Sequence, residues 1–473
     1  MENLTVFDEL MLHVETPFLK NHVAPLIVLE KPEGETDAAY AERFMQELID
    51  NPPLIPHGTQ RLRPHKRLLG RWAWEQDPGF DIRNHIHHIR LDPPGTMEQL
   101  EALAGELHSQ PLNQDRPLWD FTIISGLEDG RHFAVYGMRI HHCCIDGISG
   151  ANYMLSSLLT TAPEAMPGQE GAAPVFIRRK RRESRPPRPG ALAAAWAFMK
   201  GFFTFVRQAR SGHNRLLPAS KEIEPSLFNK NEGRTLERAF VSMTVPMERL
   251  RRIAQAASCT INDIFAVMVG NAIKTYLAEH GAPMQRSLVG VMPVSTHTAE
   301  TAHRSNRFGM MFCPLHSDLE DPLQQLQALL KETRRAKEQL AELPQNFLLG
   351  LVALSAFSFL LKRGKDQSAQ QGGALRGNFV ISNVPFSERP LYFRGARIAG
   401  LFPLGVLSPN GTINITGVSY AGQFCIGIVA DRGTAPDIAV LRPKMLATLD
   451  QLETALGLQE QPATPPSLAK AAS

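Results

Sequence analysis

Apolar residues along this chain follow two rhythms. Met97, Leu100, Leu103 and Leu107 recur three or four positions apart, which places them on one helix face, and Thr96 with Gln99 supplies a capping-box start, so a helix is predicted over 96–110. Ile148, Ala151, Leu155, Leu158 and Leu159 repeat near the same spacing and predict a helix over 148–160. Further helical patterns cover 37–50, a segment from Met247, 261–279, 321–343 and 436–456. Runs rich in β-branched and aromatic residues, bounded by turn formers, predict strands at 80–91, 120–124, 133–140, 239–245, 288–294, 309–315, 378–382, 413–420 and 424–430.

The mixed pattern stops after Thr160 and resumes near Arg234. Between them lie many prolines, the basic run Arg178-Arg179-Lys180-Arg181-Arg182 and the stretch Arg185-Pro186-Pro187-Arg188-Pro189. The chain therefore divides into a first half, 1–160, a linker, 161–233, a second half, 234–458, and a proline-containing tail, 459–473, expected to be disordered. Within the linker, 191–206 carries Trp196, Phe198, Met199, Phe202, Phe203 and Phe205 around Lys200. That is short of the roughly 20 apolar residues a membrane-crossing helix needs. Two readings stay open: an amphipathic helix lying on an anionic lipid surface together with the basic run, or a helix packed on the core behind a solvated basic loop. The apolar stretch 347–361 is likewise too short to span, and reads as a core helix or a lipid-facing wall.

Composition narrows the setting. The 473 residues are 43% hydrophobic and 21% charged, as in a globular protein long enough for two cores. A net charge of +3 gives no argument for nucleic acid. The cysteines Cys143, Cys144, Cys259, Cys313 and Cys425 are odd in number and scattered, which fits reduced thiols. No basic-then-apolar leader opens the chain, so a cytoplasmic location is expected.

The densest candidate chemistry is His141-His142-Cys143-Cys144-Ile145-Asp146-Gly147. The predicted strand 133–140 ends at the histidines, and alternation along a strand sends their rings to opposite faces. One ring can then face a reaction channel, where an imidazole suits general acid–base work. Asp146 precedes Gly147, whose conformational freedom suits a sharp turn into the next helix. Four consecutive His and Cys residues cannot converge on one ion, and no spaced pair completes a site, so no metal is expected. The cluster His85-Ile86-His87-His88 reads as a polar sheet face with His85 and His87 on one side.

The seven residues match the HHxxxDG signature of the CoA-dependent acyltransferase superfamily. Further segments follow in order: Pro117-Leu118-Trp119, Asn262-Asp263 after Thr260, Pro293-Val294-Ser295 and Ser382-Asn383-Val384-Pro385. As a set they resemble the bacterial wax ester synthase/acyl-CoA:diacylglycerol acyltransferase family, from about Asp8 to Asp431. One departure stands out: Phe386-Ser387 replaces the family's usual Gly-Pro. The resemblance implies an α/β fold of two chloramphenicol-acetyltransferase-like halves, each a mixed β-sheet with helices, with an active-site tunnel between them.

It further implies that His142 is the general base, taking a proton from the hydroxyl of diacylglycerol or a fatty alcohol as it attacks acyl-CoA. His141 would orient the turn and Asp146 support it, with Gly147 completing the bend. Asn262 is a candidate oxyanion donor, or simply a helix-start residue, while Trp119, Ser382 and Asn383 would shape and brace the substrate tunnel. Acyl-CoA is then a substrate and no cofactor is called for. Attachment to the inner face of the membrane or to lipid inclusions through 178–206 is expected. Leu401, Phe402, Leu404 and Val406 are candidates for an apolar wall, or core. The rival readings are a condensation-type enzyme acting on carrier-bound substrates and a non-catalytic lipid-surface coat.

Overall fold

A computed structural model describes residues 2–4, 6–53, 55–64, 72–145, 147–164, 199–201, 203–204, 207, 226–229, 232–295, 308–343, 377–408 and 411–458. The linker's basic run, the stretch 347–361, the tail 459–473 and Asp146 lie outside the described residues.

The N-terminal part runs β1 (Glu2–Asn3), α1 (Val6–His13), β2 (His22–Glu30), α2 (Asp37–Asp50), β3 (Gln60–Pro64), β4 (Trp72–Gln76) and β5 (Ile86–Arg90). It continues with α3 (Met97–Ser109), β6 (Trp119–Ser125), β7 (His132–His141), α4 (Gly147–Tyr153) and β8 (Leu159–Thr160). After the linker come β9 (Arg238–Pro246), α5 (Met247–Ala256), α6 (Ile261–Glu279), β10 (Val289–Ser295), β11 (Phe308–Pro314) and α7 (Pro322–Ala341). The chain closes with β12 (Phe379–Ser387), β13 (Tyr392–Phe393), β14 (Ala396–Leu404), β15 (Ile413–Tyr420), β16 (Gln423–Asp431) and α8 (Leu441–Ala455).

Two mixed sheets organise these elements. The first has the order β5-β6-β7-β2-β14-β13-β8 and the second β11-β10-β12-β15-β16-β9, while β1, β4 and β3 form a small third sheet. The linear division into halves does not carry over to the sheets, because β13 and β14 leave the second half and join the first sheet beside β8 and β2. Contact between the halves is therefore built into backbone pairing as well as into packing.

Local chemistry explains most elements. The Thr96–Gln99 capping box closes the start of α3 as expected, and Thr260 with Asp263 forms a second box at α6. Helix α6 is apolar nearly all round, with Ile264 through Gly270 buried, because it lies in the core of the second half under α5, α7 and α8. Among the described residues no single helix is long and apolar enough to cross a membrane. A separate cluster welds the sheets together: Leu100, Ala104 and Leu107 of α3 pack with Leu26, Tyr136 and Leu404 on one side and Phe240 and Val429 on the other. Gly427 permits this approach, since a Cβ there would stand 1.9 Å from the Pro403 carbonyl oxygen.

Several expectations are corrected. The predicted helix 148–160 is broken into α4, a π turn at Met154–Leu158 and the short β8. The strand expected over 80–91 begins only at Ile86, and His85 and His87 do not share a face: His85 is buried before the strand starts, whereas His87 is exposed. Of the residues read as either an apolar wall or core, Leu401, Phe402 and Leu404 lie buried in the apolar clusters, in line with the core reading. Phe386 is 2% exposed and fills the core beside a bulge that lets β12 continue to Ser387.

Candidate active site

Strand β7 ends at His141, and the way it ends is set upstream. One extra residue is inserted in β7 against both neighbours, between the pairs Tyr136–Leu26 and Ile140–Val23 on one side and Tyr136–Thr122 and Arg139–Asp120 on the other. Met138, in the left-handed region at φ 48°, takes up this bulge next to Gly137. On the β2 side the irregular stretch coincides with Pro25, which has no N–H to give to a ladder.

Backbone hydrogen bonds then hold the turn from several directions. His141 N–H donates to the Leu118 carbonyl at 3.0 Å, within the Pro-Leu-Trp segment. His142 N–H donates to the Asn21 carbonyl at 2.8 Å, and Cys144 N–H returns to the His141 carbonyl at 2.9 Å. The His141 ring is 1% exposed; its Nδ1 accepts the Cys143 N–H at 3.2 Å, and its Nε2 lies 3.5 Å from Glu15 Oε2. His142 is half-buried, in a different environment from its neighbour, and Gly147 opens α4. Asp146, given a supporting role by resemblance, falls outside the described residues.

Beneath the turn sits a layer of buried polar groups. Arg139 donates through Nε to Asp120 Oδ1 at 2.8 Å and through Nη2 to the other carboxylate oxygen, and its Nη1 reaches the carbonyls of Leu107 and Gln110 at 2.7 and 2.9 Å. This fork ties β6, β7 and the end of α3, which offsets the cost of burying the charges. His22, directly opposite His141 in the register, donates from Nε2 to the His108 carbonyl at 3.2 Å. His108 Nε2 faces the Gly405 carbonyl at 3.3 Å, so its Nδ1 takes the Tyr136 hydroxyl at 2.7 Å. Burial pushes the His108 ring down to about 3 and His22 well below the usual histidine range, so both stay neutral.

The motif residues of the second half gather on the other side. Asn262, exposed in the first turn of α6, accepts at Oδ1 from Asn383 Nδ2 of β12 at 2.5 Å. Asp263 does more than close the helix: its second oxygen takes the Thr333 hydroxyl at 3.1 Å and fastens α7. Ser382 is half-buried and pairs in register with Thr416. Helix α4 packs against β12, and Cys144 and Ile145 share one apolar cluster with Val384, Phe386 and Trp119, which brings the histidine turn to the Ser-Asn-Val-Pro strand. Trp119 is 3% exposed, donates from Nε1 to the Gly58 carbonyl at 2.8 Å and stacks on His85. It braces the strand end from within.

Sequence reasoning missed Glu15 and Asn21, which reach the turn from a segment more than a hundred positions away and carry no motif. No group of three His, Cys, Asp or Glu able to hold a metal occurs among the described residues.

The wax ester synthase/diacylglycerol acyltransferase catalytic domain matches residues 4–265, more than half the chain, and the family's C-terminal domain matches 304–453. The chain belongs to this family. A Mycobacterium tuberculosis protein named a probable diacylglycerol O-acyltransferase is 30% identical over 470 residues, covering 95% of this chain and 98% of that one. Among solved structures, the wax ester synthase/diacylglycerol acyltransferase from Marinobacter aquaeolei VT8 is 25% identical, with a TM-score of 0.72 over 97% of this chain and 100% of that chain. The first condensation domain of the calcium-dependent antibiotic synthetase shares the fold at 16% identity and a TM-score of 0.58, covering 96% of each chain. The catalytic-domain match spans the histidine turn and Asn262, and the C-terminal match spans Asn383.

Proposed function

We propose that this acyltransferase moves a long-chain acyl group from acyl-CoA to the hydroxyl of diacylglycerol or of a fatty alcohol, giving triacylglycerol or wax ester. The anchored His142 turn carries this reading: a half-buried histidine, its backbone N–H held by the Asn21 carbonyl, follows the end of β7 and leads into α4, which packs against β12. His142 takes the proton of the acceptor hydroxyl, whose oxygen attacks the thioester carbonyl. The tetrahedral oxyanion collapses, the C–S bond breaks, and the protonated His142 returns the proton to the CoA thiolate. Acyl-CoA is consumed as a substrate, and no cofactor enters the step. Asn262 serves as an oxyanion donor in this scheme. Its carbonyl oxygen is engaged by Asn383, which turns its NH2 group to other use.

Two named substrates test the reading. Palmitoyl-CoA is supplied with either dioleoylglycerol or hexadecanol, and CoA release and ester product are followed together. Product with at least one acceptor supports the proposal; release of CoA without ester, or none with either, overturns it.

We further place the protein at the inner face of the cell membrane or on lipid inclusions, through the segment 178–206. Within it Met199 and Phe203 are 45% and 64% exposed, beside Lys200, a combination suited to an anionic lipid surface. Flotation with vesicles of phosphatidylcholine and phosphatidylglycerol should fall sharply in a Met199→Asp/Phe203→Asp double variant, and equal flotation would refute the placement.

A further inference from the structure

We propose that Glu15 is a positioning residue for acyl transfer, holding the His141 ring with its proton on Nε2 and thereby fixing the turn that aims His142. This rests on the assignment of His142 as the base.

The tautomer follows from geometry. A ring nitrogen that accepts an N–H carries no proton of its own, and His141 Nδ1 accepts the Cys143 N–H at 3.2 Å. The ring's single proton therefore sits on Nε2, the atom 3.5 Å from Glu15 Oε2. At that separation the contact is mainly electrostatic, and it favours the orientation that directs N–H at a carboxylate. Without the carboxylate, only the 3.2 Å contact from the Cys143 N–H would be left to select the tautomer.

Glu15 is itself held in place. Its Oε1 accepts the Asn21 N–H at 3.2 Å, and its Oε2 accepts the Gln114 side-chain amide at 3.0 Å. Burial raises the carboxyl, but the contact with His141, the Asn21 N–H and the Gln114 amide outweigh it and keep the group below its usual range, hence ionised. Asn21, in the same loop, gives its carbonyl to His142 N–H at 2.8 Å and its side-chain amide to the Met11 carbonyl at 2.6 Å. One loop thus grips both histidines, the ring of the first and the backbone of the second. A carboxylate with 14% side-chain exposure is a costly way to fill space, and it is explained by what it orients.

The test uses the full chain with Glu15→Ala and Glu15→Gln. Kinetics are measured with palmitoyl-CoA, and the His141 tautomer is read from 15N-histidine NMR, assigned against His141→Gln. Glu15→Ala should lower kcat about 100-fold, with KM for palmitoyl-CoA within about two-fold, and move the His141 signals toward a tautomer mixture. Glu15→Gln keeps an acceptor facing Nε2 and should retain the tautomer and most of the rate. An unchanged tautomer in Glu15→Ala overturns the proposal, whether kcat is retained or falls together with the melting temperature. The NMR comparison needs no turnover. If the wild type transfers nothing, the acyl-transfer reading fails while the tautomer still decides the role of Glu15.

Discussion

The two walls of the site are built differently. On the histidine side, each polar backbone group of the turn that matters is tied to a strand or to the loop before β2: His141 to Leu118, His142 to Asn21, Cys144 back to His141. Below it, Arg139–Asp120 and His22–His108–Tyr136 add buried polar bonds. On the other side, Asn262 is exposed and accepts a side-chain bond from Asn383, on top of an apolar helix packed into the core. A base must be aimed before the acceptor arrives, since small misplacements cost large factors in rate. An oxyanion donor must likewise be held where charge develops. Under the proposed roles, polar bonds to neighbouring strands and loops aim the base, while a helix fixed by its apolar core carries the donor.

The largest effect that would sharpen this contrast is on stability. Asp120→Ala leaves the Arg139 guanidinium buried beside carbonyls only, and should cost about 3–5 kcal/mol in urea unfolding, with activity lost as β7 loosens. A loss below about 1 kcal/mol would mean that the fork does not brace the histidine wall. Asn262→Ala should do the reverse, lowering kcat about 100-fold with nearly unchanged unfolding, as expected of a donor used in the transition state. Equal loss of stability and rate there would erase the difference between the walls.

The smallest effect is on pH dependence, and its sign is set by His22 and His108. Both have folded pKa values lowered by burial, His108 to about 3, so below about 6.5 the unfolded chain binds protons that the folded chain refuses. Stability should therefore be flat above that pH and lower at pH 5.5 than at pH 7.5 by about 1.4 kcal/mol for each ring. Urea unfolding at pH 7.5 and 5.5 measures the slope. His108→Gln, which can still accept the Tyr136 hydroxyl, should flatten it by about one proton's worth.

How much of this was legible in the sequence varies with how local each signal is. Helix α3, with its capping box, and α6, with its apolar length, carried their own start signals and matched closely. The histidine turn was readable because its seven residues are contiguous. Strand β2 went unseen although it lies beside β7 at the centre of the first sheet, because Pro25 interrupts a run that a bulge in its neighbour accommodates. Strand β14 was read only as four apolar residues, since nothing local shows that it crosses to the other half's sheet. The break in the helix after α4 hides behind a helical repeat that continues through the π turn. Glu15 and Asn21 could not be found by spacing at all. Their role exists only once the loop before β2 is folded over the end of β7.

The claim on which the rest depends is that His142 moves the proton. Its most direct test is single-turnover CoA release from palmitoyl-CoA, with the better acceptor saturating, for the wild type and His142→Ala, each confirmed as folded by its urea midpoint. His142→Ala should release CoA at least about 1,000-fold more slowly, with unaltered stability. Release within about ten-fold of the wild type would contradict it.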